Sequence, residues 1–248
     1  MKHLLATASF LVLGSASVLA ADLPVKYKPA PIMAAPVFSW TGCYVGVHGG
    51  GGVMRDNWTD ENGSGGLAGG QIGCNYQDGN WVFGVEGEGW WSGHKARYSD
   101  LNSEGFGYTQ TTRNKHDFSI AARAGIAFDR TLVYGKAGWV WGRFDLDDRQ
   151  TYSYTSYYYT DTASETLNGL LLGVGIEHAI TPNWTIKAEY NYLRFGSKDF
   201  SFTYCAFNDG PTYCYPSNIA SYHADKQIFK IGVNYLFNMG KAPVVAKY

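Results

Sequence analysis

The stretch 80-NWVFGVEGEGWW-91 is rich in apolar and aromatic residues, yet it carries two carboxylates two positions apart, Glu86 and Glu88. Residues i and i+2 of a strand share a face. Trp81, Phe83, Val85 and Trp91 therefore lie on one side, and Val82, Glu86, Glu88 and Trp90 on the other. A soluble sheet buries its apolar face and wets its polar one. A membrane barrel does the reverse, with apolar side chains against lipid and polar ones inside. The chain on either side of this stretch decides between the two.

Met1-Lys2-His3 is a short basic opening, Leu4 to Ala20 is apolar or small, and "SVLAAD" offers small residues for cleavage. This pattern predicts an export signal peptide over residues 1–21. An uncleaved anchor is the alternative, and the short apolar run argues against it. Residues 22–38, "DLPVKYKPAPIMAAPVF", hold four prolines and read as an extended periplasmic linker. No later segment is long and apolar enough for a membrane helix. Glycine supplies 31 residues and tyrosine 19, and helical periodicity is hard to find after residue 38. With 20 Lys+Arg against 21 Asp+Glu, the chain lacks the basic field that a nucleic-acid partner requires.

From Trp40 onward, eight segments alternate: 40–53, 67–77, 81–91, 116–128, 131–144, 165–178, 184–195 and 226–237. Tight turns fall at Asp78–Asn80, Asp129–Arg130 and Ala179–Asn183. Long polar connections fall between the other segments: one after Val53, then 92–115, 145–164 and 196–225. Short turns at one end and long loops at the other match an outer-membrane barrel with periplasmic turns. The fold expected is all-β: an eight-stranded antiparallel up-and-down transmembrane β-barrel over 39–237, followed by a C-terminal tail, 238–248. Lipid faces would include Val45, Val47, Phe83, Val85, Ile120, Leu172, Val174, Ile186, Ile231 and Val233. The opposite faces collect Glu86, Glu88, Glu177 and Glu189 against Arg123, Lys136, Lys187 and Lys230, four acids and four bases. A soluble sandwich or lipocalin-like barrel is the alternative, and the export signal and loop asymmetry weigh against it.

Eight strands enclose an interior just wide enough for side chains. Charges confined there are costly unless paired, so these eight residues are expected to form a lumen ion-pair network that plugs the barrel. The four cysteines have no CxxC spacing and no histidine cluster beside them, so disulfides are expected rather than a metal site. Cys205 and Cys214 flank the turn sequence "NDGP". Cys43 and Cys74 share the lipid-side parity of the first two segments, and joining them would place 47 opposite 70 and 53 opposite 64. No cofactor is expected.

Catalysis is not expected. His116 and Ser119 fall on opposite faces, as do Glu177 and His178. Glu86 and Glu88 could suggest paired-carboxylate glycoside chemistry, but no sugar would reach them in a narrow lumen. Other readings are a narrow porin-like channel or a surface site for haem or another small ligand. The latter draws on the tyrosine-rich "TYSYTSYYYTD" (151–161) and on His94, His116 and His223 in or near the long connections.

The last segment, "KIGVNYLF", has Lys230, Gly232, Tyr235 and Phe237 in a pattern that resembles the C-terminal signal read by the barrel-assembly machinery, although eleven residues follow it here. The chain as a whole resembles the small outer-membrane immunogenic proteins of alphaproteobacteria, also described as porin-family or OmpA-like β-barrels. The resemblance rests on "AADLPVKYKP", "WTGCYVG", "GGQIGCNYQ", "YGKAGW", "GVGIEHAITPNWTIKAEYNYLRFG" and "KIGVNYLF". It implies a barrel in the bacterial outer membrane, with lipid and the assembly machinery as partners, and a structural or surface-antigen role. It implies no settled molecular activity, surface ligand or envelope partner.

Overall fold

Alternating β-formers broken by glycine, asparagine and aspartate produce strands joined by turns, and every strand pairing is antiparallel. The computed structural model describes residues 38–59, 62–101, 106–152, 158–207 and 212–237. The expected signal peptide (1–21), all of the linker (22–38) except Phe38, and the tail (238–248) lie outside the described residues. The strands are β1 Gly42–Asp56, β2 Asn62–Asp78, β3 Trp81–Ser92, β4 Lys95–Leu101, β5 Phe106–Phe128, β6 Thr131–Tyr152, β7 Tyr158–Ala179, β8 Trp184–Phe195, β9 Lys198–Phe207, β10 Tyr213–Tyr222 and β11 Ala224–Phe237.

Eight of these form a closed ring in the order β1-β2-β3-β5-β6-β7-β8-β11. The seam is the pairing of the first strand with the last, running from Cys43 opposite Phe237 to Asp56 opposite Ala224. At the turn end, Gly79 (φ +57°) and Asp129 (φ +53°) take the left-handed conformation that tight turns use. Each turn is tied to the neighbouring strand: the Ala127, Ala179 and Leu236 amides donate to the carbonyls of Asn80, Arg130 and Asn183.

One expectation needs correction. The connections 92–115, 145–164 and 196–225 are largely strand. β4 and the outer half of β5 fill the first, the outer ends of β6 and β7 fill most of the second, and β9 and β10 fill the third. Beyond the lipid both faces can be polar, so the period-two signal fades while Tyr and Thr keep their strand preference. In addition, β5 carries an irregularity between Asn114 and His116. It switches the inward parity from odd residues below it (Asp117, Ser119) to even residues above it (Asn114, Thr112), all of them buried.

The outward face of the ring is apolar. Val47, Ile72, Val85, Ile120, Leu172, Val174, Phe229 and Ile231 are exposed there. Aromatics mark its two edges, with Trp81, Phe128, Trp184 and Phe237 towards the turns and Trp91 and Trp141 towards the long strands. Trp90 keeps the parity of Glu86 and Glu88 that alternation gives it and is buried inside, while its neighbour Trp91 is outward.

A closed ring offers no free edge for detergent to peel. The folded protein is therefore expected to migrate differently on SDS gels before and after boiling. Identical mobility in both states would contradict the closed ring.

Candidate functional site

The interior is filled in three tiers, and the middle one carries the charge. Tyr44 and Gly46 on β1, Gln71 and Gly73 on β2, Glu86 and Glu88 on β3, Ser119 and Arg123 on β5, Tyr134 and Lys136 on β6, Gly175 and Glu177 on β7, Lys187 and Glu189 on β8, and Lys230 and Asn234 on β11 share the inward parity of their strands. Glycines set aside the necessary room. Tyr134 lies against Gly175, its cross-strand neighbour, where a Cβ would come within 2.6 Å of the ring.

All eight charged residues assigned to the lumen by alternation are buried, and they form one connected network. Lys136 Nζ lies 3.0 Å from Glu86, 2.7 Å from Glu88 and 3.0 Å from Glu189. Lys187 lies 3.1 Å from both Glu86 and Glu189. Lys230 lies 2.6 Å from Glu88 and 3.2 Å from Glu189. Arg123 reaches Glu177 at 2.7 Å and Glu86 at 3.4 Å, and its guanidinium sits 4.0 Å from the centre of the Tyr134 ring. Neutral groups complete the shell. The Tyr44 hydroxyl donates to Glu86, the Tyr134 hydroxyl to Glu189, and Thr185 and Asn234 to Glu177. Every one of the eight carboxylate oxygens thus accepts at least one hydrogen bond. This is the condition under which buried charge is tolerated.

Glu86, Glu88 and Glu189 bring carboxylate oxygens within 4.8 Å of one another, a spacing that could hold a metal ion. The ammonium groups of Lys136, Lys187 and Lys230 occupy that role already.

A second ionic group was missed by the sequence reading. Lys226 Nζ lies 2.6 Å from Asp117 and 2.7 Å from Asn114 Oδ1, fully buried above the first network. Lys226 has the parity of Lys230, and Asp117 that of Arg123, so alternation already held the signal.

Apolar tiers close both ends. Towards the turns, Phe38, Trp40, Val82, Leu132, Ala179 and Leu236 pack together, with Phe38 edge-on to Trp40 at 5.0 Å. Phe38, the last residue assigned to the linker, is therefore part of the barrel's filling. Towards the long strands, Leu167, Leu171, Leu193, Phe144, Phe195 and Phe200 belong to a larger cluster.

The remaining candidates are dispersed. His94 is buried on the inside with its Nδ1 2.7 Å from Ser92 Oγ, whereas His116 lies on the outer surface of β5 and His223 is exposed between β10 and β11. Opposite sides of the wall cannot share one ion. Ser119 is buried while His116 is exposed, and Glu177 is buried while His178 is exposed. Disulfides join Cys43 to Cys74 and Cys205 to Cys214. The first sits in a register that sets Val47 opposite Gly70 and Val53 opposite Ser64. Of the terminal pattern, Lys230 and Gly232 face inward, while Tyr235 and Phe237 face outward with rings 5.2 Å apart.

The family model described as "Outer membrane protein beta-barrel domain" matches residues 8–237. The chain is 34% identical over 216 residues to the 31 kDa outer-membrane immunogenic protein of Brucella melitensis biotype 1, covering 77% of this chain and 87% of that one. It is 26% identical over 251 residues to the 25 kDa outer-membrane immunogenic protein of the same organism, covering 96% and 99%. It is 31% identical over 189 residues to the 22 kDa outer membrane protein of Rhizobium leguminosarum bv. viciae, covering 74% and 76%.

Proposed function

The chain belongs to the outer membrane protein β-barrel family and resides in the outer membrane, and from that premise we propose that it is a non-catalytic anchor and surface scaffold whose lumen is closed to diffusion. The observation that carries this reading is the three-tier filling of the interior: an apolar cluster at each end and, between them, a charge-balanced network whose carboxylate oxygens all accept hydrogen bonds. An aqueous pore needs a continuous polar path, and the buried apolar clusters at both ends of the interior argue against one. The immunogenic character named for the Brucella relatives fits a role for the long extracellular strands as a displayed, antigenic surface. An N-terminal export signal and the outward Tyr235 and Phe237 on the closing strand suit delivery to, and insertion by, the barrel-assembly machinery.

Single-channel recording of the folded protein in a planar bilayer tests the closed lumen. The expected result is a quiet bilayer, without steady steps in the nanosiemens range. Steady conductance of that size from the unmodified monomer would overturn the proposal.

A further inference from the structure

Beyond the lipid, β4, β5, β6, β7, β9 and β10 continue side by side above the barrel. Register sets Tyr98, Gln110, Asp148, Asp161, Tyr204 and Tyr215 in one row across all six strands. The row beyond it holds Asp100, Tyr108, Gln150, Tyr159, Ala206 and Tyr213. Both rows belong to the inner face, since the buried Leu146 and Phe202 precede Asp148 and Tyr204 by two residues on their strands. Their floor is the upper apolar cluster, against which Trp58 packs, stacked on Phe202 at 5.0 Å.

The chemistry of this face is one-sided. It offers carboxylates, phenol rings and amides, and neither row contains a Lys or Arg. The nearby basic residues Arg97, Arg113, Lys115 and Arg149 have the opposite orientation; Arg113 and Lys115 are bridged to Asp147 and Asp145, and the Arg149 guanidinium lies over the Tyr158 ring. Tyr159, Tyr204 and Tyr215 form a run of rings with centres 5.3 and 5.0 Å apart. Asp148 is only 8% exposed, and its Oδ1 has no hydrogen-bond partner. The Tyr108 hydroxyl, which accepts from Gln110 at 2.6 Å, serves the same carboxylate. A buried carboxylate oxygen left open beside a second carboxylate, with aromatic faces around it, is complementary to an alkylammonium ion.

We infer that this face binds a linear polyamine, with ammonium groups at the Asp148–Asp161 pair and at Asp100 and the intervening chain lying over the tyrosines. The spacing suits such a ligand. Asp100 and Asp148 are separated by two interstrand steps and one row, about 12 Å, the length of a triamine chain. Burial, and then the neighbouring Asp161, push the Asp148 carboxyl up to about 6, while its bond from Tyr108 opposes that rise. Protonation below that value removes one of the charges a polyamine would meet. Affinity should therefore fall as the medium is acidified. The other ionisable groups on this face around Asp148 are Asp161 and the phenols of Tyr108, Tyr159 and Tyr204, none of which gains positive charge on acidification.

The test is calorimetric titration of spermidine into the folded, full-length protein in zwitterionic micelles at physiological salt. Saturable binding is expected near neutral pH. It should weaken by about tenfold or more in Asp148→Asn and in Asp161→Asn, and stay unchanged in Asp147→Asn on the opposite face of β6. Acidification to about pH 5 should weaken binding in the wild type more than in Asp148→Asn. Each variant is first checked for its unboiled gel mobility. Absence of saturable binding, equal affinity in all variants, or calcium displacing spermidine at the Asp148–Asp161 pair would overturn the inference. Bilayer conductance has no bearing on it, so it stands or falls separately from the closed lumen.

Discussion

Replacing Lys136 with Met is expected to destabilise the barrel by about 3–5 kcal/mol, the cost typical of removing one partner from a buried ion pair. The ammonium group contacts three carboxylates at once, and among the described residues it is the only hydrogen-bond donor to Glu86 Oε1. Its loss leaves four acids against three bases in the central network. Val85→Ala supplies the control, since Val85 is outward and exposed to lipid in the same part of the wall. Equilibrium unfolding in urea, in the same lipid or detergent, compares the two. A charge-balancing second change, Glu88→Gln, should recover part of the loss, giving a double variant more stable than the sum of the two single effects. A Lys136→Met protein no less stable than Val85→Ala would show that the network contributes little.

Trp40→Ala is the second large effect expected, again about 3–5 kcal/mol, from an unfilled cavity in the cluster at the turn end. Trp40 is fully buried, and Phe38, Val82, Leu132 and Leu236 share its cluster. Its backbone amide donates to the Gln77 side chain at 2.8 Å, a bond that the substitution leaves intact. The loss should therefore report side-chain packing alone. Trp91→Ala, at a 76% exposed outward position, is expected to cost much less. Conductance should remain absent in Trp40→Ala, because the ionic tier and the upper cluster still fill the interior. Unfolding measurements together with bilayer recordings separate these outcomes. A stability equal to that of the Trp91 variant would remove the lower tier from the account.

Much of this barrel was legible because lipid enforces one rule along each strand. Where one face must be apolar, the alternation of Phe83, Val85, Ile120 and Val174 with Glu86, Arg123 and Glu177 fixes both the strand and its orientation. The eight lumen charges could be assigned by the same parity. The rule weakens wherever the solvent on the two faces becomes alike. It could not separate strand from loop above the membrane, where β4, β9 and β10 lie. Nor did it warn that the inside turns apolar at both ends: Leu132, Leu167, Leu171 and Leu193 share the parity of the lumen charges and are buried among other side chains. A hydrophobic residue on a polar face looks like noise until the ring is closed. Lys226 and Asp117 obey the same parity, each at the outer end of its segment, 226–237 and 116–128.

The seam between β1 and β11 sets the order in which the interior can be completed. Any folding intermediate without β11 is an open sheet with Arg123, Lys136 and Lys187 facing Glu86, Glu88, Glu177 and Glu189, one cation short. Lys230 arrives on the strand that closes the ring and brings its ammonium to Glu88 and Glu189. The same strand carries Lys226 to Asp117 and Leu236 to the lower cluster. Both disulfides lie within hairpins, β1–β2 and β9–β10, and neither crosses the seam. Covalent cross-linking can thus precede closure without obstructing it. The longest-range strand pairing among the described residues, a kind that is slow to find, is thus also the one that neutralises the lumen.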